Sequence, residues 1–162
     1  MRNRRGFTLI ELLIVIAIIG ILSTVLFANF SGVRERARDT KRKSDLQAMK
    51  TALQLYANDY GKFPSDNGSG SIVGCGVAGV STCAWGSAFS AGASTTIFMG
   101  ELPTDPLNTA PYVYTYATDP AIDYTITAQL ENASDPDSAK SQTRCGVAVD
   151  DVQAGVYMVC NQ

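Results

Sequence analysis

The sequence predicts an α+β fold in which one long N-terminal helix packs, through its second half, on a small antiparallel sheet. Three observations support this prediction. The stretch 7–30 is almost wholly apolar, and apolar residues then recur at spacings of three and four as far as Tyr60, which is the period of a helix face. Later segments alternate between apolar and polar residues, which is the period of a strand.

The first half of the predicted helix, residues 7–30, is long enough to cross a membrane. As a helix it would measure about 36 Å, against a hydrocarbon core of about 30 Å. Glu11 is the only charged residue within it. A carboxylate near the end of a spanning helix costs about 2 to 4 kcal/mol and usually marks a function or a partner. A position at the level of the lipid headgroups would also accommodate it.

Two common N-terminal segments explain this start poorly. A secretory signal peptide has a shorter apolar region that ends in a small-residue cleavage site, whereas the small residue here, Gly6, precedes the apolar run. A plain membrane anchor explains the length of 7–30 but gives no reason for Gly6, Phe7 and Glu11.

The sequence from Arg5 to Leu12, Arg-Gly-Phe-Thr-Leu-Ile-Glu-Leu, resembles the class III leader of type IV pilins and of the pseudopilins of type II secretion. The resemblance implies the type IV pilin fold, cleavage by a prepilin peptidase between Gly6 and Phe7, and methylation of the new amino group of Phe7. Residues 1–6 would then be a cleaved leader, and residues 7–30 would remain as a transmembrane helix that becomes the filament core.

The resemblance also implies a role for Glu11 in assembly. When identical subunits pack their apolar helices into a filament, a buried carboxylate needs an opposite charge, and the amino group of Phe7 on a neighbouring subunit provides it. A subunit out of register would leave a charge unpaired in an apolar core. We therefore expect the pair of Glu11 and Phe7 to set the alignment of subunits.

Flanking charge and family resemblance predict opposite orientations of the membrane helix. The basic residues between Arg34 and Lys43 outnumber those before the span, and positive charge alone would place them in the cytoplasm. The resemblance implies the reverse, with the leader in the cytoplasm and the globular head outside it. The precursor would reside in the inner membrane, and the product would be an extracellular or periplasmic filament.

The second half of the helix, residues 31–61, is predicted to be amphipathic. Opposite charges three or four residues apart predict a solvated face with weak ion pairs, and the pairs are Glu35 with Arg38, Asp39 with Arg42 and Lys43, and Lys41 with Asp45. A buried apolar stripe follows, formed by Leu46, Met49, Leu53, Tyr56 and Tyr60. Gly61 and the Phe63-Pro64 pair end the helix.

The composition argues against an enzyme. The chain contains no histidine, so the commonest general base and metal ligand is missing, and we find neither a Gly-rich phosphate loop nor a nucleophile beside a base. We expect no catalytic residue and no cofactor. The basic cluster at 34–43 suits nucleic acid or lipid headgroups, but the resemblance places it near the filament interior, so we do not expect a nucleic acid partner.

The four cysteines are predicted to form two disulfides. They are Cys75, Cys83, Cys145 and Cys160, and none belongs to a C-x-x-C pair of the kind that binds zinc. Four cysteines allow three connectivities, of which we favour the local pairings Cys75 with Cys83 and Cys145 with Cys160. For the second pairing, residues 145–149 and 156–160 read as two facing strands.

The globular head, residues 62–162, is predicted to begin with a variable loop and to continue with strands. Residues 65–100 are rich in Gly, Ser, Ala and Thr, which indicates a loop with at most a short helix at 84–89. Antiparallel strands occupy 111–162: the segments 112–117 and 124–131 alternate, with a turn at 118–123 between them. Together with the cysteine-linked strands they form a sheet of three or four strands.

Asp119 and Asp123 lie on either side of the predicted turn and are the candidate metal ligands. Calcium prefers oxygen-rich loops, and the resemblance to major pseudopilins implies a calcium loop nearby. Two carboxylates are few for this ion, and aspartate is an ordinary turn residue. We therefore favour the turn interpretation over calcium binding.

The resemblance leads to a structural rather than a chemical function. We expect a subunit of a type IV pilus-like filament that supports adhesion, twitching motility or DNA uptake. The alternative is the major pseudopilin of a type II secretion system, and a more remote one is a DNA-binding minor pilin. The expected partners are identical subunits, the prepilin peptidase, membrane lipid before assembly and, indirectly, an inner-membrane assembly platform with its motor ATPase.

Overall fold

The computed structural model describes residues 7–93, 95–119 and 123–161 of the chain, without the side chains of 25–31 and Val149. The leader at 1–6, including Gly6, lies outside the described residues. The chain divides into two units, Met1–Arg36 and Ala37–Gln162. Helix α1 (Leu9–Tyr60) belongs to both.

The remaining elements are short and follow α1 in the second unit. In chain order they are β1 (Ser65–Asp66), β2 (Ile72–Cys75), β3 (Ser81–Thr82), β4 (Phe89–Ala91), β5 (Thr96–Met99), β6 (Thr115–Asp119), β7 (Asp123–Gln129), α2 (Pro136–Arg144), a 3-10 turn (Val149–Asp151) and β8 (Val156–Cys160). The strands form three antiparallel sheets, ordered β1-β2-β3, β4-β5 and β6-β7-β8. The predicted α+β class is confirmed.

In the first unit, the side chains of α1 that the structure describes are mostly exposed aliphatic residues. Ser23 and Thr24 interrupt them, and each hydroxyl donates a 2.7 Å hydrogen bond to a carbonyl of the preceding turn, that of Ile19 or Ile21. These bonds satisfy the hydroxyls without breaking the helix. Over the residues described, no helix combines the length and hydropathy needed to cross a membrane.

In the second unit, the predicted apolar stripe of α1 forms the centre of the core. Leu46, Met49, Leu53 and Tyr56 are buried. Tyr60 remains 40% exposed but stacks on Tyr56, with 4.5 Å between ring centroids. The helix ends at Tyr60, and Gly61, at φ +69°, donates its N–H to the carbonyl of Ala57 at 2.8 Å. This left-handed residue after the last turn is a common helix stop, and the predicted end is confirmed.

The predicted loop at 65–100 is wrong, because the structure has five short strands there, β1 to β5. The short helix allowed at 84–89 is absent as well: Trp85 and Gly86 lie in a turn, and Phe89 begins β4. Each strand is only two to four residues long, too short for an alternating pattern to be visible. Their apolar residues nevertheless reach the core, namely Ile72, Phe89, Ala91 and Phe98.

The predicted hairpin is confirmed, although its strands are displaced. β6 begins at Thr115 rather than at 112, because a tight turn precedes it in which the N–H of Tyr112 donates to the carbonyl of Thr109 at 2.7 Å. Thr115 pairs with Thr127, and Asp119 pairs with Asp123, so part of the predicted turn belongs to the strands. Residues 120–122 lie outside the described residues.

The last sheet strand was predicted correctly, but its predicted partner was not. β8 pairs with β7 along Val156–Cys160, whereas residues 145–149 form no strand. The residues before them form α2, and the N–H of Cys145 continues its hydrogen bonds to the carbonyl of Ser141 at 3.1 Å. Helix α2 covers the free edge of β8 with polar side chains: Ser141 accepts from the N–H of Met158 at 2.9 Å, and Gln142 donates to the carbonyl of Val156 at 2.7 Å.

Candidate functional site

The two residues to which assembly was assigned lie at the start of α1: Phe7 just precedes the helix, and Glu11 is in its first turn. The structure adds a third residue, Thr8, directly before the helix. The backbone N–H and the hydroxyl of Thr8 both donate to Glu11 Oε2 at 2.8 Å. The N–H of Glu11 donates back to Thr8 Oγ1 at 3.3 Å. This reciprocal pattern is a capping box, in which a Thr at the N-cap and a Glu three residues later satisfy each other's free backbone N–H groups.

The capping box gives Glu11 a role in its own chain, besides its predicted pairing with an amine. Two donors already bind its carboxylate within the same chain, and the positive end of the helix dipole favours a negative charge at this position. Both effects lower the cost of placing the charge in apolar surroundings. Sequence reasoning missed Thr8, although the pattern Thr-x-x-Glu before an apolar run was present as a signal.

The structure leaves the other assignments at the N-terminus as predictions. Gly6, on one side of the predicted cleavage point, lies outside the described residues. Phe7, on the other side, is 88% exposed. The pairing of its amino group with Glu11 of a neighbouring subunit stays a prediction.

The second unit contains a buried ion-pair cluster that the sequence did not indicate. Arg42, predicted to lie on a solvated face, is fully buried. Its Nε and Nη2 atoms donate to Asp105 at 2.6 and 2.9 Å, and its Nη1 atom donates to Asp39 and Glu131 at 2.7 Å each. Arg38 also pairs with Glu131. The predicted pair of Asp39 and Arg42 therefore exists, but as part of a buried network and not as a weak surface contact.

Mutual hydrogen bonding keeps this cluster charged. Burial alone would lower the pKa of Arg42, but hydrogen bonds to Asp105, Glu131 and Asp39 raise it. Burial would raise the pKa of Asp105, and hydrogen bonds from Arg42 and the Leu107 N–H hold it below its usual range. The hydrogen bond from Arg38, opposed by burial and aided by Arg42, lowers the pKa of Glu131 to about 2.

Most of the basic residues of α1 that lie in the second unit are neutralised by carboxylates. Lys43 binds Asp135 at 2.8 Å and Asp137 at 2.7 Å, and Lys41 forms the predicted pair with Asp45 at 3.0 Å. Arg38 and Arg42 pair with the carboxylates of the buried cluster. All of these basic residues therefore bind acidic side chains of their own chain. They consequently offer little positive potential to a polyanion.

The structure brings together Asp119 and Asp123, and calcium binding by them stays a prediction. They face each other at the end of the β6–β7 ladder, and Asp123 accepts a 2.7 Å hydrogen bond from Asn161. Lys62 lines the same cavity, and a cation is a poor neighbour for calcium. Among the residues described, no group of three or more acidic, Cys or His side chains could hold a metal, whereas calcium takes six to eight oxygen ligands.

The structure contains the two disulfides Cys75–Cys83 and Cys145–Cys160, with Cα–Cα distances of 5.3 and 5.8 Å. The first closes the turn between β2 and β3. The second joins the C-terminal end of α2 to the end of β8, so it links a helix to a strand and not two strands. The second therefore fastens α2, whose buried side chains are all polar.

Comparison with known proteins supports the prepilin resemblance at the N-terminus. Residues 1–27 match the model of the prokaryotic N-terminal methylation motif. Type II secretion system core protein G of Dickeya chrysanthemi is 37% identical over 73 residues, which are 44% of this chain and 48% of that protein. Its counterpart in Escherichia coli K12 is 41% identical over 65 residues, 40% of this chain and 45% of that protein.

A pilus protein is similar to the same extent. The type IV wide pilus major component PilA4 of Thermus thermophilus is 47% identical over 66 residues, 41% of this chain and 50% of that protein. No solved structure gives a significant match. The chain spans about half the length of the curated relatives it matches. It thus carries the prepilin-type methylation motif and is similar, over about two fifths of its length, to secretion core proteins G and to a type IV pilin.

Proposed function

We propose that the chain is a structural subunit of a type IV pilus-like filament. The observation that supports this function most directly is the N-terminal methylation motif at residues 1–27. A prepilin peptidase cuts after Gly6, Phe7 is methylated, and the precursor waits in the inner membrane with its head outside the cytoplasm. An assembly platform and its motor ATPase then add identical subunits to a filament that serves adhesion, twitching motility or DNA uptake.

Assembly proceeds by an exchange of partners at Glu11. In the single subunit, the carboxylate accepts its two hydrogen bonds from Thr8. In the filament, the amino group of Phe7 from an adjacent subunit becomes its counter-ion, because a buried anion is far less costly beside a cation than beside neutral donors alone. The chain performs no reaction in this scheme.

The alternative is a pseudopilus subunit of a type II secretion system, and the similarity to core proteins G favours it. In that case a periplasmic filament drives export of folded proteins. The two functions share processing, membrane storage and the pairing at Glu11, and they differ in where the filament is found. A DNA-binding minor pilin has less support, because acids of the head pair with Arg38, Arg42 and Lys43.

The decisive experiment combines mass spectrometry and electron microscopy of filaments sheared from the producing cells. A pilus subunit is expected in long external fibres, beginning at methylated Phe7. A processed chain that stays in the cell envelope without external fibres supports the pseudopilus. A chain that still begins at Met1 contradicts both functions.

Variants at the N-terminus test the exchange of partners. Glu11→Gln keeps a hydrogen-bond acceptor but removes the charge, and Thr8→Val removes the hydroxyl but keeps the charge. We expect Glu11→Gln to abolish filaments, and Thr8→Val to reduce them while leaving cleavage intact. Glu35→Ala, an exposed carboxylate on the same helix, is the matched control and should assemble normally. Normal filaments from Glu11→Gln would exclude the charge pair as the basis of assembly.

A further inference from the structure

The head contains a small cavity that the proposed assembly does not use. It measures about 240 Å³ and lies where the β1–β2 connection approaches the segment before β6. Ser71, Trp85, Thr104 and Asn108 are among the residues that line it. Sites for drug-sized ligands measure roughly 300 to 1,000 Å³, so this cavity suits a single ring-sized group.

One wall of the cavity is an aromatic ring held in place by the core. Trp85, the only tryptophan of the chain, is half-buried and meets Tyr114 edge to face, with ring centroids 6.2 Å apart. A fixed indole presents a flat apolar surface. The C–H groups on one face of a sugar ring stack on such a surface, while its hydroxyls point to the sides.

The other walls offer neutral hydrogen-bonding groups. Ser71 and Thr104 contribute hydroxyls and Asn108 an amide, and each of these can both donate and accept. Within the described part of the chain, none of the three side chains hydrogen-bonds to another group. Their donors and acceptors thus remain available to a ligand with several hydroxyls.

The cavity carries no uncompensated charge. Its one ionised lining residue, Asp105, is buried, and Arg42 binds both of its carboxylate oxygens. Residues 67–100, which include Ser71 and Trp85, contain no Asp, Glu, Lys or Arg. The cavity beside Asp119, in contrast, is lined by Lys62 and two carboxylates. An ionic ligand would find no counter-charge at Trp85.

We propose that this cavity binds one ring of a neutral carbohydrate, a hexose unit stacked on Trp85 and hydrogen-bonded by Ser71, Thr104 and Asn108. This gives the head a recognition function of its own. It requires only the second unit of the chain and is therefore independent of whether the filament is a pilus or a pseudopilus.

Trp85 provides the measurement, since tryptophan fluorescence reports on this cavity alone. The processed full chain, in a detergent without a sugar headgroup, is titrated with cellotetraose, maltotetraose and chitotetraose, and with tetragalacturonate as a charged comparison. We expect the Trp85 fluorescence to change saturably with at least one neutral tetrasaccharide and not to change with tetragalacturonate. No response to any of the neutral sugars, or an equal response to tetragalacturonate, would overturn the proposal.

Two variants test whether a change in Trp85 fluorescence comes from sugar bound in the cavity. Thr104→Lys fills it and adds a charge, and Asn108→Asp adds a charge with almost no change in shape. Each should weaken binding at least tenfold, whereas Thr51→Lys, at an exposed position of α1, should bind as the unmodified chain does. Unchanged binding in both cavity variants would show that the sugar stacks elsewhere, and the proposal would be wrong.

Discussion

At the scale of single residues, the structure changes how two acidic side chains are understood. Glu11 was identified from a motif as a charge in need of a partner, and the structure adds Thr8 as a partner within the same turn. Glu131 had no assigned role, yet it accepts from both Arg38 and Arg42. Its partners lie about ninety positions away along the chain, so no local pattern could have revealed the contact.

Glu131 should make stability depend on pH in the acidic range. Its pKa in the folded chain, about 2, lies below the usual 4.5, so the folded state binds fewer protons than the unfolded state. The stabilisation is therefore fully present above about pH 4.5 and is lost as the pH falls toward 2. The shift sets an upper limit of about 3 kcal/mol on this stabilisation, and solvent screening around Glu131 reduces it.

Denaturant unfolding of the full chain in detergent at pH 5 and pH 2.5 measures this loss. We expect Glu131→Gln to be less stable at pH 5 and to show a smaller decrease on acidification. Glu101→Gln, at an exposed position, should keep the original pH dependence. If the unfolding free energy of both variants depended on pH in the same way, Glu131 would not be the group that causes the loss of stability in acid.

At the scale of elements, predictions succeeded where a pattern was long and failed where it was short or polar. The stripe of α1 extends over four turns and identified the core. The strands β1 to β5 are too short to show a period. Helix α2 buries Ser138, Ser141 and Gln142, so it has no apolar face for a sequence pattern to reveal, although Asp135-Pro136 is a recognisable helix start.

The packing of the part of α1 that lies in the second unit should depend on Arg42. Arg42→Met removes the guanidinium that contacts Asp39, Asp105 and Glu131 together, and leaves buried carboxylates with too little compensating charge. Breaking a buried ion pair by removing one partner typically costs about 3 to 5 kcal/mol. We expect that loss in the free energy of unfolding of the second unit.

Lys41→Met is the matched comparison, because Lys41 pairs with Asp45 at the surface and its side chain is 57% exposed. Exposed pairs contribute at most about 1 kcal/mol. Urea unfolding monitored by circular dichroism and by Trp85 fluorescence distinguishes the two variants. If Arg42→Met and Lys41→Met lowered the free energy of unfolding equally, the buried cluster would stabilise the second unit no more than a surface pair does.

At the scale of the whole molecule, the fold combines a conventional helix–sheet core with covalent fastening of its weaker parts. The core could be predicted from the sequence because apolar residues form it. The cavity at Trp85 could not, since its walls come from separate segments and meet only after β1 to β5 have formed. The disulfide Cys145–Cys160 holds α2, which has no apolar surface to hold it.

Removing that disulfide should loosen α2 before the rest of the head. The bond closes a 15-residue separation, for which the chain-entropy model gives about 3 kcal/mol. In a Cys145→Ser, Cys160→Ser variant, hydrogen exchange should accelerate at the Met158 amide, which donates to Ser141, more than at Ile126 in the middle of the sheet. Exchange at Met158 no faster than in a Cys75→Ser, Cys83→Ser variant would contradict this expectation.

The cover that α2 forms over β8 also bears on the proposed assembly into a filament. An uncovered strand edge is a template on which a second chain can add a strand, and repeated addition leads to amyloid-like fibres. In a filament that assembles through the N-terminal helix, many copies of the head would lie at high local concentration. Strand addition between heads would be most favoured there. Hydrogen bonds to the side chains of Ser138, Ser141 and Gln142 occupy the free edge of β8, so α2 closes this edge to strand addition.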